Sequence, residues 1–158
     1  MSGERTAFTV RRAVSPEDLK ACFAVRTEVF VVEQSVPESI EYDAYDADAV
    51  HVLAVAPDGS PLGTGRLLHG RAVIGKTGGL QAGALGRLAV TAAARGLGVG
   101  AALVRAIEAE AAELGLRTVV LGAQTHALRF YERLGYEAYG PEFEEAGIPH
   151  RSMRRTLP

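Results

Sequence analysis

At 158 residues, 47% of them hydrophobic and with a formal net charge of -2, the chain can bury the core of a single domain, which we expect to cover residues 1–158. The near-neutral charge argues against a nucleic-acid partner, and the lack of an apolar stretch of about 18 residues argues against membrane insertion. The N-terminus has no apolar run followed by a cleavage site, so we expect a cytoplasmic protein. Cys22, the single cysteine, excludes an intrachain disulfide and is expected to be a small core residue.

The first part of the chain predicts a strand followed by a helix. Residues 6–12 alternate apolar and polar side chains, as a half-buried strand does. Ser15 then offers a capping hydroxyl, and Pro16 suits the first position of a helix. The side chains expected on one face of this helix are Leu19, Phe23, Arg26 and Phe30.

A hairpin and a loop are predicted next. Residues 50–56 and 61–68 are apolar segments, and the Pro57-Asp58-Gly59-Ser60 sequence between them suits a tight turn. Residues 70–86 are rich in glycine and poor in bulky apolar side chains, so we predict a loop there. Strand character resumes over residues 85–90.

The second half predicts two helices and three strands. An amphipathic helix is expected after Gly96, ending at Gly115, and a shorter helix over residues 125–134. In the strand predicted at residues 118–121, the three residues after Thr118 are all apolar, which is typical of a central strand covered on both faces. Closing strands are expected at residues 136–139 and 152–156. Together these elements predict one mixed α+β sheet.

Three glycine motifs could bind phosphate. Residues 70–77 fit the letter of a nucleoside-triphosphate loop, but residues 78–83 have no helical period, so we interpret this match as chance. Residues 96–101 overlap a dinucleotide fingerprint, but the acidic residue expected about 20 positions later is missing. The third motif is Arg95-x-x-Gly98-x-Gly100 at a helix start, after a short loop that follows a strand ending in Leu88-Ala89-Val90.

This third motif resembles the acetyl-coenzyme A signature of the GNAT superfamily of N-acyltransferases. Downstream, Gln124-x-x-Ala127-x-x-Phe130-Tyr131-Glu132-x-Leu134-Gly135-Tyr136 resembles the helix and turn that close GNAT domains, although many members carry asparagine where this chain has Gln124. Residues 26–37, followed by Glu41, Asp43, Asp46 and His51, are similar to a bacterial ElaA-like and YjcF-like group of the superfamily.

The resemblance implies a mixed, mostly antiparallel twisted sheet of about six to seven strands flanked by about four helices. It also implies acetyl-coenzyme A as co-substrate, no metal, and direct attack of an amine on the thioester in a ternary complex. Tyr131 would protonate the departing thiolate. The residues that would bind the coenzyme are the backbone of Leu88, Ala89 and Val90, the pyrophosphate loop Arg95, Gly96, Leu97, Gly98, Val99 and Gly100, and also Gln124 and Tyr131.

The acceptor side is less specified. Glu33, which interrupts an apolar run before a loop, is the expected base and acceptor contact, with His51 or bulk water as alternatives. Arg66 and His150 are expected to line the acceptor cleft. The acids Glu41, Asp43, Asp46 and Asp48 form either an attractive cluster for a cationic amine or a plain acidic loop. The expected acceptor is a primary amine of a small molecule or peptide.

A homodimer is compatible with the sequence. A non-catalytic acyl-coenzyme A-binding or regulatory module on the same fold is the alternative to an enzyme, because no residue stands out as the base.

Overall fold

One mixed β-sheet organises the chain, of which the computed structural model describes residues 7–158. The strands are β1 (Thr9–Ala13), β2 (Val50–Val55), β3 (Pro61–Leu68), β4 (Ala82–Val90), β5 (Thr118–Gln124), β6 (Glu137–Glu145) and β7 (Ile148–Thr156). Within the described range they form a seven-stranded sheet in the order β1-β2-β3-β4-β5-β7-β6. Every neighbouring pair is antiparallel except β4 and β5, which confirms the predicted fold class.

The first helix, α1 (Pro16–Arg26), begins where the sequence predicts it. The Ser15 hydroxyl accepts a hydrogen bond of 3.1 Å from the Asp18 backbone N–H, which satisfies one donor left free at the helix start. The chain then continues in wider π-helical turns over Thr27–Glu33, so the regular face predicted for the helix does not extend beyond α1. Thr6, the predicted start of the first strand, lies outside the described residues.

The predicted β2–β3 hairpin is confirmed, with Val50 paired to Leu67. In its turn the Asp58 carboxylate accepts a hydrogen bond of 2.9 Å from the Ser60 backbone N–H, and Gly59 takes a left-handed φ of 88°. Two short segments lead into the hairpin, α2 (Glu38–Glu41) and a 3-10 turn over Ala44–Ala47. These segments and the residues between them carry three of the acidic residues that the sequence analysis singled out.

The loop predicted over residues 70–86 is wrong for much of its length. It contains a 3-10 turn at Arg71–Val73 and the single helical turn α3 (Ile74–Thr77), and β4 already begins at Ala82. Gly83 shows why the glycines misled the prediction. A Cβ atom there would lie 2.7 Å from the Leu67 side chain, so this glycine permits close packing inside a strand.

The C-terminal elements are those predicted, with longer strands. They include α4 (Val99–Glu113) and α5 (Leu128–Arg133), the latter preceded by a 3-10 turn over Thr125–Ala127. Strands β6 and β7 form a hairpin whose turn residues, Ala146 and Gly147, have φ values of 53° and 76°. The predicted strands at 136–139 and 152–156 are too short. Strand β6 continues through residues that are solvent-exposed and do not alternate, and β7 begins at Ile148.

The main core lies between α4 and the sheet. Leu103, Val104, Ile107 and Ala111 on α4 are fully buried against β2, β3 and β4. On the other face of the sheet, α1 buries Cys22 against Leu53 and Val55, which confirms Cys22 as a core residue. Burial of each large aliphatic side chain contributes about 1.5–3 kcal/mol, so these contacts fix α4 on the sheet.

Strand β5 departs from the prediction that both of its faces are covered. Val119, Leu121 and Ala123 are buried in the core, whereas Val120 is only partly buried and Gly122 is exposed. One apolar face of a central strand is therefore open, and that open face forms part of the site.

Candidate active site

A cleft opens in the middle of the sheet where β4 and β5 stop pairing. The two parallel strands are matched only from Ala82 to Ala84 on β4 and then diverge. Further along β4, Arg87 has a φ of 49°, beside the register shift between Thr64 and Arg66 on β3, which marks a bulge that bends β4. The resulting cleft has a volume of about 620 Å³, the size of a small-molecule site.

The strand that was predicted to bind the coenzyme lines this cleft. Leu88, Ala89 and Val90 line one side, and Gln124 lines the other together with the open face of β5. In the described part of the chain no strand pairs with this edge of β4 beyond Ala84. Its backbone groups can therefore hydrogen-bond an extended ligand, as a neighbouring strand would.

The glycine loop connects β4 to α4 at one end of the cleft. Gly96 and Gly98 have φ values of 83° and 85°, which side-chain-bearing residues rarely adopt. Gly98 is the N-cap of α4, and among residues 7–158 no side chain caps this helix start. The first N–H groups of a 15-residue helix are thus available to an anion, and the helix dipole favours negative charge there.

The other loop positions have different roles. A Cβ at Gly100 would lie 3.2 Å from the Phe130 ring, so this glycine allows α5 to pack against α4. Val99 is buried in the core, whereas Leu97 is exposed. The glycines of the motif therefore serve two purposes, backbone conformation and helix packing.

The structure brings together two residues that were predicted for different roles. Arg95 donates to both carboxylate oxygens of Glu33, at 2.6 and 2.7 Å, and its Nε donates to the Val90 carbonyl oxygen at 3.1 Å. Hydrogen bonding from the Arg95 guanidinium lowers the pKa of Glu33. Both side chains are exposed at the rim of the cleft. The predicted pyrophosphate ligand and the predicted base are therefore paired with each other.

Tyr131 lies on α5 and lines the cleft. Its ring contacts Phe130 and Tyr136 edge-on, at centroid distances of 4.9 and 5.9 Å. Burial raises the pKa of Tyr131 above its usual value, so the phenol stays protonated at neutral pH. No group within the described chain hydrogen-bonds its hydroxyl, which leaves the O–H available to a ligand.

Gln124 connects the two sides of the cleft. Its Nε2 donates to the Gln34 side-chain oxygen at 2.9 Å, and its own oxygen accepts a hydrogen bond of 2.6 Å from His126 Nε2. Gln34 follows the π-helical segment, whereas Gln124 ends β5. This amide pair spans the cleft between elements that no backbone pairing joins within residues 7–158.

His150 lies on β7 and faces the same cleft. Its Nδ1 is 2.7 Å from the Ile148 carbonyl oxygen, and its ring stacks on Phe143 with a centroid distance of 5.7 Å and an interplanar angle of 25°. The prediction from sequence named His150 but not Phe143, which lies in the part of β6 that was not predicted.

The acidic cluster is neutralised by three arginines. The buried ion-pair network joins Glu41, Asp43 and Asp46 to Arg26, Arg66 and Arg87. Burial alone would raise the pKa of Asp46, but hydrogen bonds and charges from Arg26 and Arg66 outweigh it and lower the value to about 2. Both interpretations of Glu41, Asp43 and Asp46, as an attractive cluster or a plain loop, are therefore replaced by a structural network. Asp48 follows the 3-10 turn as an exposed residue beside this network.

Arg66 and His51, the remaining predicted residues, differ in whether they line the cleft. Arg66 lines the cleft, with a bidentate contact to Asp43 at 2.7 and 2.9 Å. His51 lies on β2 outside the cleft, where Nε2 donates to the Asp46 carbonyl oxygen at 2.9 Å and the ring packs against Phe23. The structure thus places His51 beside Arg66, its register partner on β3, but not in the cleft.

Several cleft residues escaped the sequence analysis. They are Gln34, Lys76, Arg87, Phe143 and Glu145. Lys76 lies in the segment that was predicted to be a loop. Arg87 lies in the predicted strand at 85–90, where no local pattern marks a bulge that only strand pairing reveals. The helices found between residues 7 and 158 are all too short or too polar to cross a membrane.

Comparison with known proteins adds independent information. Residues 10–157 match a family model described as an acetyltransferase (GNAT) domain. The uncharacterized N-acetyltransferase YjcF of Bacillus subtilis is 39% identical over 145 residues, covering 90% of this chain and 96% of that protein. The crystal structure of Escherichia coli ElaA superposes with a TM-score of 0.78 at 29% identity, covering 94% of this chain and 98% of the other. An acyl-CoA N-acyltransferase from Pseudomonas aeruginosa gives a TM-score of 0.77 at 35% identity, with 95% and 99% covered.

Proposed function

Because the chain belongs to the GNAT acetyltransferase family, we propose that it transfers an acetyl group from acetyl-coenzyme A to a primary amine of a small molecule or peptide. The resemblance to the ElaA-like and YjcF-like group is confirmed by the relatives found. The observation that carries the proposal is the divergence of β4 and β5, with an uncapped helix start at one end and the Tyr131 side chain in its wall.

The coenzyme would bind along this divergence. The first N–H groups of α4 and the Arg95 guanidinium would receive the pyrophosphate, while the unpaired edge at Leu88, Ala89 and Val90 would hydrogen-bond the pantetheine arm. Gln124 faces that edge from β5. Arg95 would have to leave or share Glu33 when the pyrophosphate binds, because Glu33 contacts both of its terminal nitrogens.

In the proposed reaction the amine attacks the thioester carbon directly in a ternary complex. Placing both substrates in one cleft lowers the entropic cost of this encounter, and backbone N–H groups of β4 can stabilise the oxyanion that develops. Tyr131 would protonate the thiolate as it leaves, which suits a buried phenol that is protonated at neutral pH.

Glu33 is less suited to the role of base than its sequence position suggested. Both of its oxygens accept from Arg95, and the lowered pKa of Glu33 makes its carboxylate a weaker proton acceptor. We propose instead that Glu33 orients Arg95 at the rim of the cleft and contacts the acceptor only when that pair opens.

Three measurements test this function. Calorimetry should show binding of acetyl-coenzyme A, and thiol detection should show turnover with at least one of an alkylamine, an arylalkylamine, an amino sugar and a lysine-containing peptide. Absence of coenzyme binding would exclude the proposal. Tight binding without thiol release across the whole panel would favour the non-catalytic acyl-coenzyme A-binding or regulatory module. A thermal-shift comparison with NAD and ATP separates both from a nucleotide-binding protein, because a ligand of the folded state raises Tm.

A further inference from the structure

We propose that His150 is the general base of the reaction and takes the proton of the attacking amine on its Nε2 atom. This inference rests on the proposed acetyltransferase activity. It assigns a step that the sequence left to Glu33, His51 or bulk water.

The hydrogen bond at the other ring nitrogen fixes the tautomer of His150. Nδ1 is 2.7 Å from the Ile148 carbonyl oxygen, and a carbonyl oxygen can only accept. Nδ1 must therefore carry the hydrogen, which leaves the lone pair of the neutral ring on Nε2. This is the arrangement that a base needs, since one ring nitrogen is anchored and the other is ready to accept a proton.

The surrounding residues hold the ring in the cleft. His150 is paired in register with Gln124 on β5 and with Phe143 on β6. Phe143 stacks on the imidazole and also lies over Gly122, where an added Cβ would be 3.3 Å from the Phe143 ring. His150 is 9% exposed, and its Nε2 is neither hydrogen-bonded within residues 7–158 nor sealed from the cleft.

The other candidate bases are engaged or displaced. Glu33 is held by Arg95, and His51 lies outside the cleft. His126 donates its Nε2 hydrogen to Gln124 and is exposed. Of the candidates named from sequence, His150 alone combines a free ring nitrogen with a place in the cleft wall, within the part of the chain that the structure describes.

The proposed reaction takes up and releases no net proton. The amine nitrogen forms a bond to the thioester carbon, and one N–H proton passes to Nε2 of His150. The carbon–sulfur bond then breaks with its electron pair on sulfur, and Tyr131 protonates that sulfur. The products are an amide and the free thiol, and solvent returns one proton from the His150 imidazolium to the Tyr131 phenolate.

The test uses two substitutions that separate chemistry from structure. His150→Asn places an amide N–H near the position of Nδ1, so it can still donate to the Ile148 carbonyl, but it removes Nε2. His150→Gln keeps an amide near the position of Nε2 without its basicity. The matched control is His69→Gln, because His69 follows β3 and does not line the cleft.

We expect thiol release with the best amine of the panel to fall about 100-fold in both His150 variants, the lower range for loss of a general base. At each pH, kcat/KM of the wild type is divided by kcat/KM of the variant. The pH dependence that comes from the amine, and from other groups that both proteins share, cancels in this ratio. The cleft-facing titratable groups on the elements packed against β7 are Tyr139 and Glu145 on β6 and His126 after β5. If His150 is the base, the ratio of wild-type to variant kcat/KM is constant at alkaline pH. It falls about tenfold for each unit of decreasing pH in the range where the imidazole is protonated.

The outcomes are distinct. A ratio that does not change with pH, or near wild-type turnover by His150→Asn, would show a structural role and overturn the inference. The Kd for acetyl-coenzyme A, measured by calorimetry, should be the same in wild type and variants, and a large change would assign His150 to donor binding instead. A wild-type protein that binds acetyl-coenzyme A but acetylates no amine would refute the proposed function, and the inference with it.

Discussion

Replacing Tyr131 by phenylalanine removes a single hydroxyl from the wall of the cleft. The contacts of the ring with Phe130 and Tyr136, at 4.9 and 5.9 Å, do not involve that hydroxyl and should persist. Because no described residue hydrogen-bonds the hydroxyl, its removal leaves no buried partner unsatisfied. Folding stability should therefore hardly change, and any effect should appear in the chemistry.

The expected effect on turnover is large. A positioned general acid contributes about 10²–10⁴-fold, which corresponds to roughly 3–5 kcal/mol of the activation barrier. We expect kcat to fall by at least about 100-fold in Tyr131→Phe, while the Kd of acetyl-coenzyme A stays close to that of the wild type. Steady-state thiol release measures the first quantity and calorimetry the second.

Tyr136 provides a matched control on the same aromatic cluster. Its hydroxyl donates to Glu108 at 2.8 Å in a buried site, and Tyr136 does not line the cleft. Tyr136→Phe should therefore lower the free energy of unfolding by about 1–3 kcal/mol and leave kcat unchanged. If Tyr131→Phe keeps wild-type turnover, or loses activity only in parallel with Tm, the acid role of Tyr131 is refuted.

Three further changes test the architecture of the site. Gly63→Ala places a Cβ 2.8 Å from a core side chain, and urea titration should show a loss of about 1–3 kcal/mol, whereas Gly75→Ala, with open space around it, should cost little. Glu33→Gln removes the carboxylate that competes for Arg95, so calorimetry should show tighter coenzyme binding, and weaker binding would contradict the competition. The lowered pKa of Asp46, about 2 in the folded protein, contributes stability that is fully present above its unfolded pKa near 4 and is lost as the pH falls towards 2. Asp46→Asn should abolish about 2 kcal/mol of that acid dependence of unfolding, and an unchanged pH profile would count against it.

The sequence predicted the glycine loop and the helix start after it well because both depend on local geometry. Gly98 adopts a left-handed φ directly before a helix. Glycine favours this conformation, so a short sequence motif is enough to predict it. The hairpin turn at Gly59 was predicted for the same reason. Glycines that serve packing between distant elements were misinterpreted, as Gly83 shows, because Leu67 and Leu116 are neighbours only in the folded sheet.

Several other residues of the cleft could not be predicted in the same way. Phe143 and Glu145 come from strand β6, where the exposed residues do not alternate, and Arg87 lies at a bulge that only the β3–β4 register reveals. The pairing of Glu33 with Arg95 joins positions 62 residues apart, which no local pattern records. Spatial convergence of this kind requires the complete fold.

On strand β5, the face that was wrongly predicted to be covered lines the cleft. Its apolar sequence indicated cover on both faces, and the structure provides cover on only one. Leaving apolar surface in water costs about 25 cal/mol per Å², so the open face at Val120 is a place where an apolar ligand segment gains free energy by binding. The apolar sequence of β5 therefore indicates a strand that is covered on both faces. In the proposed complex the pantetheine arm of the coenzyme would cover the face that the protein leaves open. In the proposed complex the acceptor would approach from the side of β7, where His150 is paired with Gln124 of β5.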